Sequence, residues 1–364
     1  MSFKPSGSTK VLNNEIMTHD PLSDVVAQQY QKWVYPEPIH DLPGWLIDCW
    51  EWYDPSHAHP MLWGNRADYN PDIDILVAGC GTNQAAVLAY TNPEAKVTAI
   101  DVSEASLAHH RLLRDRYQLH NLELHLLPIE QVETLDRDFD LIVSTGVLHH
   151  LNDPVAGLRA LGLCLKAEGI AAIMLYARYG RLGVEIMQSV FQEMGLLQNK
   201  ASLDTVKETI RLLPKGHPLR SYVEIAPDLE YDAGLVDTFL HGRDRSYTVD
   251  DCLDLVDSAG LAFHDWFLKS PYYPPLPAKG PFYSALATLP ETRQWSIMER
   301  IHTQNACHFF TACRTDLKPK HAPLEFQSPR ILMTVPKFRF RCGVENNSIF
   351  RPGWQKDLDP RELS

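Results

Sequence analysis

Apolar and polar positions between residues 74 and 176 alternate in the pattern of a parallel α/β sheet. Short apolar runs, each long enough for one buried strand, are separated by stretches with helical periodicity. Strands separated by helices of this kind predict right-handed crossovers and a sheet covered on both faces. The five predicted strands are residues 73–78, 95–100, 122–127, 139–144 and 169–176.

Helix signals fill the gaps between these strands and continue after them. Helices are predicted over 84–90, over 103–117 with Ser103 as N-cap, and over 154–165 with Asp153 as N-cap. Residues 177–245 carry helical stretches and no strand, which predicts a helical insertion that covers the acceptor site. The α/β pattern returns with helix 248–259, strand 261–268, helix 291–302 and strand 308–313.

Extensions flank this domain on both sides. Residues 1–69 form an N-terminal extension that is dense in aromatic residues and prolines, and aromatic rings at that density need burial, so we expect a cap on the main domain. Residues 70–314 form the domain itself. Residues 315–364 form a C-terminal extension with one apolar run, 331–335, which either adds a strand or clasps the body.

Composition narrows the class of protein. The 364 residues are 45% hydrophobic and 22% charged, as in globular proteins, and the net charge is −12. An acidic balance makes nucleic acid an unlikely partner, since phosphates attract basic faces. There is no secretory signal or apolar run long enough for a membrane span, and the seven cysteines form no CxxC pair, so we expect a cytoplasmic protein without metal.

The strongest chemical signal follows the first strand, where Ala78-Gly79-Cys80-Gly81-Thr82-Asn83 leads into a helix. Glycines allow a sharp turn and the close approach of a ligand, and the helix N-terminus offers free N–H groups. Asp101 ends the second strand 22 residues after Gly79, where a carboxylate can accept both hydroxyls of a ribose. Gln84 replaces the third glycine of a dinucleotide fingerprint, which counts against NAD or FAD.

These motifs resemble those of the class I S-adenosylmethionine-dependent methyltransferases. VAGCGT is similar to their first motif, LPIE (127–130) to their adenine-contacting loop, and FDLIVSTGVLHHL (139–151) to their fourth strand and its loop. Asn83 departs from the third glycine of many members. The resemblance implies a Rossmann-like doubly wound seven-stranded α/β sheet with the last strand antiparallel, and S-adenosyl-L-methionine as cofactor. The cofactor residues it implies are Ala78, Gly79, Cys80, Gly81, Asn83, Asp101, Val102, Ile129, Glu130, Thr145 and Gly146.

Two histidines follow the fourth strand and are candidate catalytic residues. His149 and His150 lie where open α/β sheets bind ligands, and a neutral imidazole suits the removal of a proton from an acceptor. The alternative is that one ring packs against the cofactor and the other caps the next helix. Methyl transfer is an in-line displacement that needs a base only when the nucleophile has a proton to lose.

Candidate acceptor contacts come from the two flanking segments. Tyr30 belongs to the aromatic segment, and a polar run on a partly apolar background in the insertion supplies four more residues: His241, Arg243, Arg245 and Tyr247. An arginine here could hold a carboxylate through two hydrogen bonds. The alternatives are structural packing for Tyr30 and a solvated loop for the polar run.

The sequence leaves three functions open. The favoured one is methyl transfer to a small-molecule acceptor. The second is a methyltransferase that acts on a protein side chain, a peptide or RNA, and the third is a non-catalytic cofactor-binding protein or an NAD-dependent oxidoreductase. The sequence specifies neither the attacked atom nor the oligomeric state.

Overall fold

A computed structural model describes residues 21–63, 70–275, 278–316, 343–345, 348–351 and 354–357. Seven strands form one sheet in the order β3-β2-β1-β4-β5-β7-β6. Strands β1–β5 pair in parallel, and β7 is antiparallel to both β5 and β6. The predicted Rossmann-like doubly wound seven-stranded sheet with its last strand antiparallel is therefore confirmed.

The β-strands and α-helices of the described residues have the following bounds. The sheet strands are β1 (Asp74–Ala78), β2 (Lys96–Asp101), β3 (Leu122–Leu126), β4 (Phe139–Thr145), β5 (Leu165–Tyr176), β6 (Leu261–Trp266) and β7 (Cys307–Arg314). A separate antiparallel trio comprises β8 (Gly343–Glu345), β9 (Ser348–Arg351) and β10 (Trp354–Asp357). The helices are α1 (Val25–Lys32), α2 (Leu42–Asp48), α3 (Pro55–Trp63), α4 (Gln84–Thr91), α5 (Glu104–Tyr117), α6 (Pro154–Leu163), α7 (Leu182–Glu193), α8 (Lys200–Leu212), α9 (Leu219–Val223), α10 (Asp232–Phe239), α11 (Val249–Ser258), α12 (Pro281–Leu286) and α13 (Glu291–Met298).

The helix caps agree with the sequence. The side chains of Ser103 and Asp153 accept hydrogen bonds from the first turns of α5 and α6, and Thr248 forms a reciprocal capping box with Asp251 at α11. The predicted boundary near residue 165 is wrong. Helix α6 ends at Leu163 and β5 begins at Leu165, because the backbone of Leu165 pairs with Phe139.

Five helices of the aromatic segment and the insertion go beyond the elements that the sequence specified. The aromatic segment holds three short helices, α1–α3, and the insertion holds α9 and α10 in addition to the two helices expected there. The apolar run 331–335 and the first twenty residues lie outside the described residues. Among the described residues, none of the helices combines the length and the apolar character needed to cross a bilayer.

The insertion and the N-terminal segment meet beside the carboxyl ends of the strands. Helices α7–α10 enclose an apolar core of their own, which includes Phe191 and Phe239, and Trp33 from the N-terminal segment packs against it. Tyr176, the last residue of β5, donates a hydrogen bond to Asp237 of α10. The predicted boundaries of these regions, and their role as a lid, stay predictions.

The segment after α1 crosses directly over the glycine turn. Thr82 Oγ1 donates to the carbonyl of Pro36 at 2.7 Å, and Asn83 Nδ2 donates to the carbonyl of Glu37 at 2.9 Å. Asn83 Oδ1 accepts from the backbone N–H of Ile39 at 2.8 Å. The residue that replaces the family's third glycine therefore holds the cap in place.

We predict that Asn83→Ala loosens this attachment. The change removes two hydrogen bonds and leaves the N–H of buried Ile39 without its acceptor, so the free energy of unfolding should fall by about 1–3 kcal/mol. Urea denaturation followed by tryptophan fluorescence measures it. Asn70→Ala is the matched control, since Asn70 is exposed and its side chain bonds only locally to Asp72. Equal losses in the two variants would contradict the interpretation.

Candidate active site

A cavity of about 1070 Å³ opens at the carboxyl edge of the sheet. Its walls include the glycine turn, the ends of β2, β4 and β5, the segment from Tyr35 to Asp41 and the insertion from Tyr222 to Gly234. This volume is at the upper end of the range for ligand pockets, and it is large enough for two small molecules together. The edge is the one where open α/β folds bind their ligands.

Glycine is required at two points of the turn that forms one wall. Gly79 has a φ of +75°, and a Cβ there would lie 2.5 Å from Val147 Cγ2. Gly81 has a φ of +53°, and a Cβ there would lie 2.9 Å from Pro36 Cδ and 3.1 Å from the carbonyl of Tyr35. The backbone of the turn thus passes close under both the β4 loop and the cap.

Asp101 is held at the bottom of the cavity by backbone donors. Its carboxylate accepts from the N–H of Gly81 at 2.9 Å and from the N–H of Ser103 at 2.8 Å. Burial raises the pKa of Asp101 to about 6, and these backbone hydrogen bonds oppose the rise. A carboxylate has about four lone-pair sites, and the N–H groups of Gly81 and Ser103 occupy two of them.

Glu51 is a half-buried carboxylate that the sequence analysis missed. Gln84 Nε2 donates to Glu51 at 3.0 Å and to the hydroxyl of Thr145 at 3.2 Å, which places Glu51 beside the end of β4. Burial raises the pKa of Glu51 to about 7. No signal near residue 51 links it to the glycine turn, because the pairing joins residues that are 33 positions apart.

His150 lines the cavity in a defined tautomer. Its Nδ1 lies 2.8 Å from the carbonyl oxygen of Arg243, and because a carbonyl only accepts, Nδ1 carries the proton. In the neutral ring Nε2 is therefore an unprotonated acceptor, and within the described residues it has no hydrogen-bond partner. Because His150 lines the cavity, a lone pair of this kind can take a proton from a bound molecule that reaches it.

His149 has a different environment. It is fully buried, does not line the cavity, and stacks on Tyr176 with ring centroids 3.9 Å apart. Burial, and then the neighbouring His150, lowers the pKa of His149 well below its ordinary value, so the ring is neutral at pH 7. Of the two candidate bases, only His150 reaches the cavity.

A buried carboxylate joins three segments behind the cavity wall. Asp237 accepts the hydroxyl of Tyr30 at 2.7 Å and the hydroxyl of Tyr176 at 3.0 Å. Tyr30 in turn lies 3.3 Å from Nε2 of His241, whose Nδ1 accepts from the N–H of Arg243. The His241 ring stacks on His150 at 3.8 Å. Tyr30, Tyr176 and His150 are thus fixed relative to one another.

The arginines of this region have partners within the protein. Arg243 forms two hydrogen bonds with Asp24, at 2.7 and 3.0 Å, and a third with the carbonyl of His150 at 3.2 Å. Buried Arg181 pairs with Asp244 at 3.1 Å and lies 3.6 Å from the centre of the Tyr176 ring. The guanidinium of Arg243, predicted to hold an acceptor carboxylate, holds Asp24 instead.

The predicted site residues divide into two groups. The cavity is lined by Gly79, Cys80, Gly81, Asn83, Asp101, Val102, Ile129, Glu130, Thr145, Gly146, His150 and Tyr30. The residues outside its wall are Ala78, which is fully buried, His149, His241, Arg243, Arg245 and Tyr247. Tyr247 instead joins β5 through its backbone, where its N–H donates to the carbonyl of Tyr176.

Acidic side chains dominate the charge of the wall. Three of them, Glu51, Asp101 and Glu130, lie on the side of the glycine turn. Five more belong to the cap and the insertion: Asp24, Glu37, Asp41, Asp228 and Glu230. Of the described residues, no lysine or arginine lines the cavity.

Two side-chain clusters have a composition that could hold a metal. The possible ligands are His149, His150 and Asp244 in one cluster, and His150, Asp237 and His241 in the other. Hydrogen bonds from tyrosines to Asp237, and from the guanidinium of Arg181 to Asp244, already engage both carboxylates. The expectation of a protein without metal stays a prediction.

Comparison with known proteins finds likenesses to parts of this chain. A family model described as a methyltransferase domain matches residues 76–171. An uncharacterized protein of Synechococcus sp. is 34% identical over 258 residues, which cover 67% of this chain and 60% of that protein. The uncharacterized phycocyanin operon protein W of Pseudanabaena tenuis is 37% identical over 92 residues, 24% of this chain and 80% of that one.

A solved structure extends the likeness beyond the matched domain. PKMT2 from Rickettsia typhi, in complex with AdoHcy, has a TM-score of 0.61 at 17% identity and covers 76% of this chain. The chain spans only 55% of that protein and 60% of the Synechococcus relative, and at this identity the likeness to PKMT2 concerns the fold. Residues 76–171 therefore match a methyltransferase-domain model, and the chain shares its fold with PKMT2.

Proposed function

We propose that this protein transfers a methyl group from S-adenosyl-L-methionine to a small-molecule acceptor, with His150 as the general base. The observation that carries the proposal is the continuity of one cavity. The same wall includes the glycine turn, the carboxylate of Asp101 and the unpartnered Nε2 of His150. A donor and an acceptor bound in this cavity would therefore have a base within it.

The residues of the wall fit the cofactor. Gly79 and Gly81 give the turn its positive φ angles and its close packing against Val147 and Pro36, which keep its backbone in the cavity wall. Asp101, held beside this turn, would accept the ribose hydroxyls. Glu130 has one buried oxygen without a partner, which suits an adenine amino group. Glu51 is a candidate for the ammonium group of the methionine part. When bound, the cofactor supplies a methyl group that is activated by a neighbouring sulfonium.

The chain's own contribution is to position the acceptor and to accept its proton. Proximity and orientation are worth up to about 7–11 kcal/mol of barrier in such reactions. Tyr30 and Tyr176, fixed by Asp237, form the wall beside His150. Of the predicted acceptor contacts we retain Tyr30, and we assign His241 and Arg243 to the positioning of Tyr30 and His150. Arg245 and Tyr247 do not line the cavity and receive no role.

A protein side chain is the alternative acceptor. It would bring the same reactive group into the same cavity, carried on a larger molecule. Incubation with labelled S-adenosylmethionine and either the metabolite fraction or the protein fraction of a cell extract separates the two. Label that appears only in macromolecules would overturn the small-molecule assignment and leave the methyltransferase assignment intact.

We predict that Asp101→Ala weakens cofactor binding by up to about two to four orders of magnitude. The variant loses two charge-assisted hydrogen bonds of about 1.5–3 kcal/mol each at most, while its own backbone donors become unsatisfied. Titration calorimetry with S-adenosylhomocysteine gives the affinity. Asp115→Ala, on the exposed face of α5, is the control and should bind as the unmodified protein does. Unchanged affinity in Asp101→Ala would contradict the assignment.

We predict that cofactor affinity rises as the pH is raised from 5.5 to 7.5. Both Glu51 and Asp101 have pKa values above their ordinary ones, about 7 and about 6, so each is largely protonated at the low end of this range. Since the bound ammonium group favours ionised Glu51, affinity is gained as the pH rises through the pKa and is lost below it. Calorimetry over this range measures the profile.

Glu51→Gln provides the matched comparison for this profile. The variant should bind more weakly at pH 7.5 and should keep only the lower step, which belongs to Asp101. Because burial opposes ionisation of Glu51, the ligand-free variant should also unfold at a higher temperature than the unmodified protein at pH 7.5, with a smaller difference at pH 5.5. An unaltered pH profile would remove Glu51 from the site.

We predict that His150→Gln lowers turnover about 10²–10⁴-fold while cofactor affinity stays within about threefold, since the change removes the base but not the cofactor contacts. Formation of S-adenosylhomocysteine from the acceptor measures turnover, and calorimetry measures affinity. The control is His120→Gln, an exposed histidine after α5. If His149→Gln abolished turnover in a folded protein while His150→Gln retained it, the assignment of the base to His150 would be wrong.

A further inference from the structure

We propose that the acceptor is an amine that enters the cavity as a cation and is methylated on nitrogen. The inference rests on the proposed function and adds to it the chemical class of the acceptor. It depends on two features of the same cavity. Its wall contains eight carboxylates and, among the described residues, no lysine or arginine, and its inner part is lined by tyrosine rings.

The carboxylates away from the glycine turn are the ones that an acceptor would meet. Asp228 is half-buried, accepts the hydroxyl of Tyr35 at 3.0 Å, and forms no ion pair with any described residue. Glu230 is exposed two residues further along the same wall. A buried carboxylate without a cation is unfavourable, and burial raises the pKa of Asp228 accordingly. A bound ammonium group would supply the missing charge.

Asp237 adds negative charge directly behind the wall. Its two oxygens are bound by the hydroxyls of Tyr30 and Tyr176, both of which line the cavity. Asp237 itself does not line the cavity, so the two tyrosines separate it from a bound ligand. A ring polarised in this way favours a cation at its face. For Tyr176 that cation is Arg181, 3.6 Å from the ring centre, and His149 stacks on the same ring, so we assign the ligand's cation to Tyr30. Tyr35 and Tyr222 extend the aromatic lining towards Asp228.

The nearby cations offset this charge only in part. Arg243 is paired with Asp24, and Arg181 is paired with Asp244 behind Tyr176 and Tyr222. Arg181 also lowers the pKa of Asp228, but burial has the larger effect and the pKa stays raised, so negative charge remains at this wall. An acceptor that carried a carboxylate would have to enter against this field, which is why an anionic acceptor held by Arg243 is disfavoured.

The reaction balances with the groups present. The ammonium group of the acceptor gives one proton to Nε2 of His150 and so regains its lone pair. The nitrogen then forms a bond to the methyl carbon while the carbon–sulfur bond breaks, and the electron pair of that bond stays on sulfur. The positive charge on sulfur passes to the methylated nitrogen, and the charge of the proton stays on His150, so the cavity holds two positive charges before and after the transfer.

Three probes that share a phenethyl group and differ in the charge of the terminal group test whether the cavity prefers a cation. Phenethylamine is cationic, 2-phenylethanol is neutral and 3-phenylpropionate is anionic at pH 7.5. With S-adenosylhomocysteine present, calorimetry should show phenethylamine bound at least tenfold more tightly than 3-phenylpropionate, with the alcohol between them. Asp228→Asn should lose most of this preference and leave the affinity for 2-phenylethanol unchanged. Asp204→Asn, an exposed aspartate on α8, is the matched control and should keep the preference.

The outcomes distinguish a failure of the proposed function from a failure of the amine-acceptor proposal. If S-adenosylhomocysteine does not bind, the proposed function fails together with the amine acceptor. If it binds and the protein shows no preference for the cationic probe, the amine acceptor alone is overturned.

Product analysis with S-adenosylmethionine then identifies the attacked atom and the source of the amine. Tyramine and a short lysine-containing peptide are the two probes. A methyl group on the nitrogen of either one supports the proposal and tells whether the amine is a free molecule or a protein side chain. A methyl group on the phenol oxygen of tyramine, with its nitrogen unmodified, would overturn it.

Discussion

The hydrogen bonds between the glycine turn and residues 36–39 hold the N-terminal segment over the cavity. Thr82 and Asn83 hold the backbone of residues 36–39, and the missing Cβ of Gly81 lets Tyr35 and Pro36 approach. The same few residues thus serve the cofactor wall and the cap. A cap attached in this way keeps Tyr30 and Tyr35 at the cavity, and the contacts of both tyrosines with the insertion follow from it.

A second junction ties the insertion to the sheet. Asp237 connects α1 and β5 through two tyrosine hydroxyls, and Arg243 connects Asp24 with the loop after β4. Asp237 and Arg243 are charged side chains that are buried or half-buried. In such surroundings an unpartnered charge is costly, and a paired charge fixes the geometry. The position of His150 therefore depends on contacts made by residues that are more than 90 positions away along the chain.

The sequence predicted the parts of the site whose signals are local. Strand, glycine turn, helix and acid follow one another within 30 residues, so their spacing alone located Asp101 and the turn. Glu51 and Asp228 were missed because each is a single acid whose importance comes from a distant partner, Gln84 or Tyr35. Arg243 was assigned to an acceptor from its charge, yet its partner, Asp24, lies 219 positions away. The short helices α2 and α9 also lack the periodic length that sequence patterns need.

Burial of carboxylates beside no cation lowers the free energy of unfolding of the ligand-free protein, and a bound ligand can remove this destabilisation. The pKa values of Glu51, Asp101 and Asp228 are all raised, which means that the fold disfavours their ionised forms near neutral pH. A random arrangement of a net-acidic chain would leave such groups in solvent, where they cost little. Their concentration in one cavity wall fits the positively charged acceptor that we propose. Hydroxyl groups and cations that bind these carboxylates would stabilise the ionised forms, and this stabilisation would contribute to the affinity of the ligand.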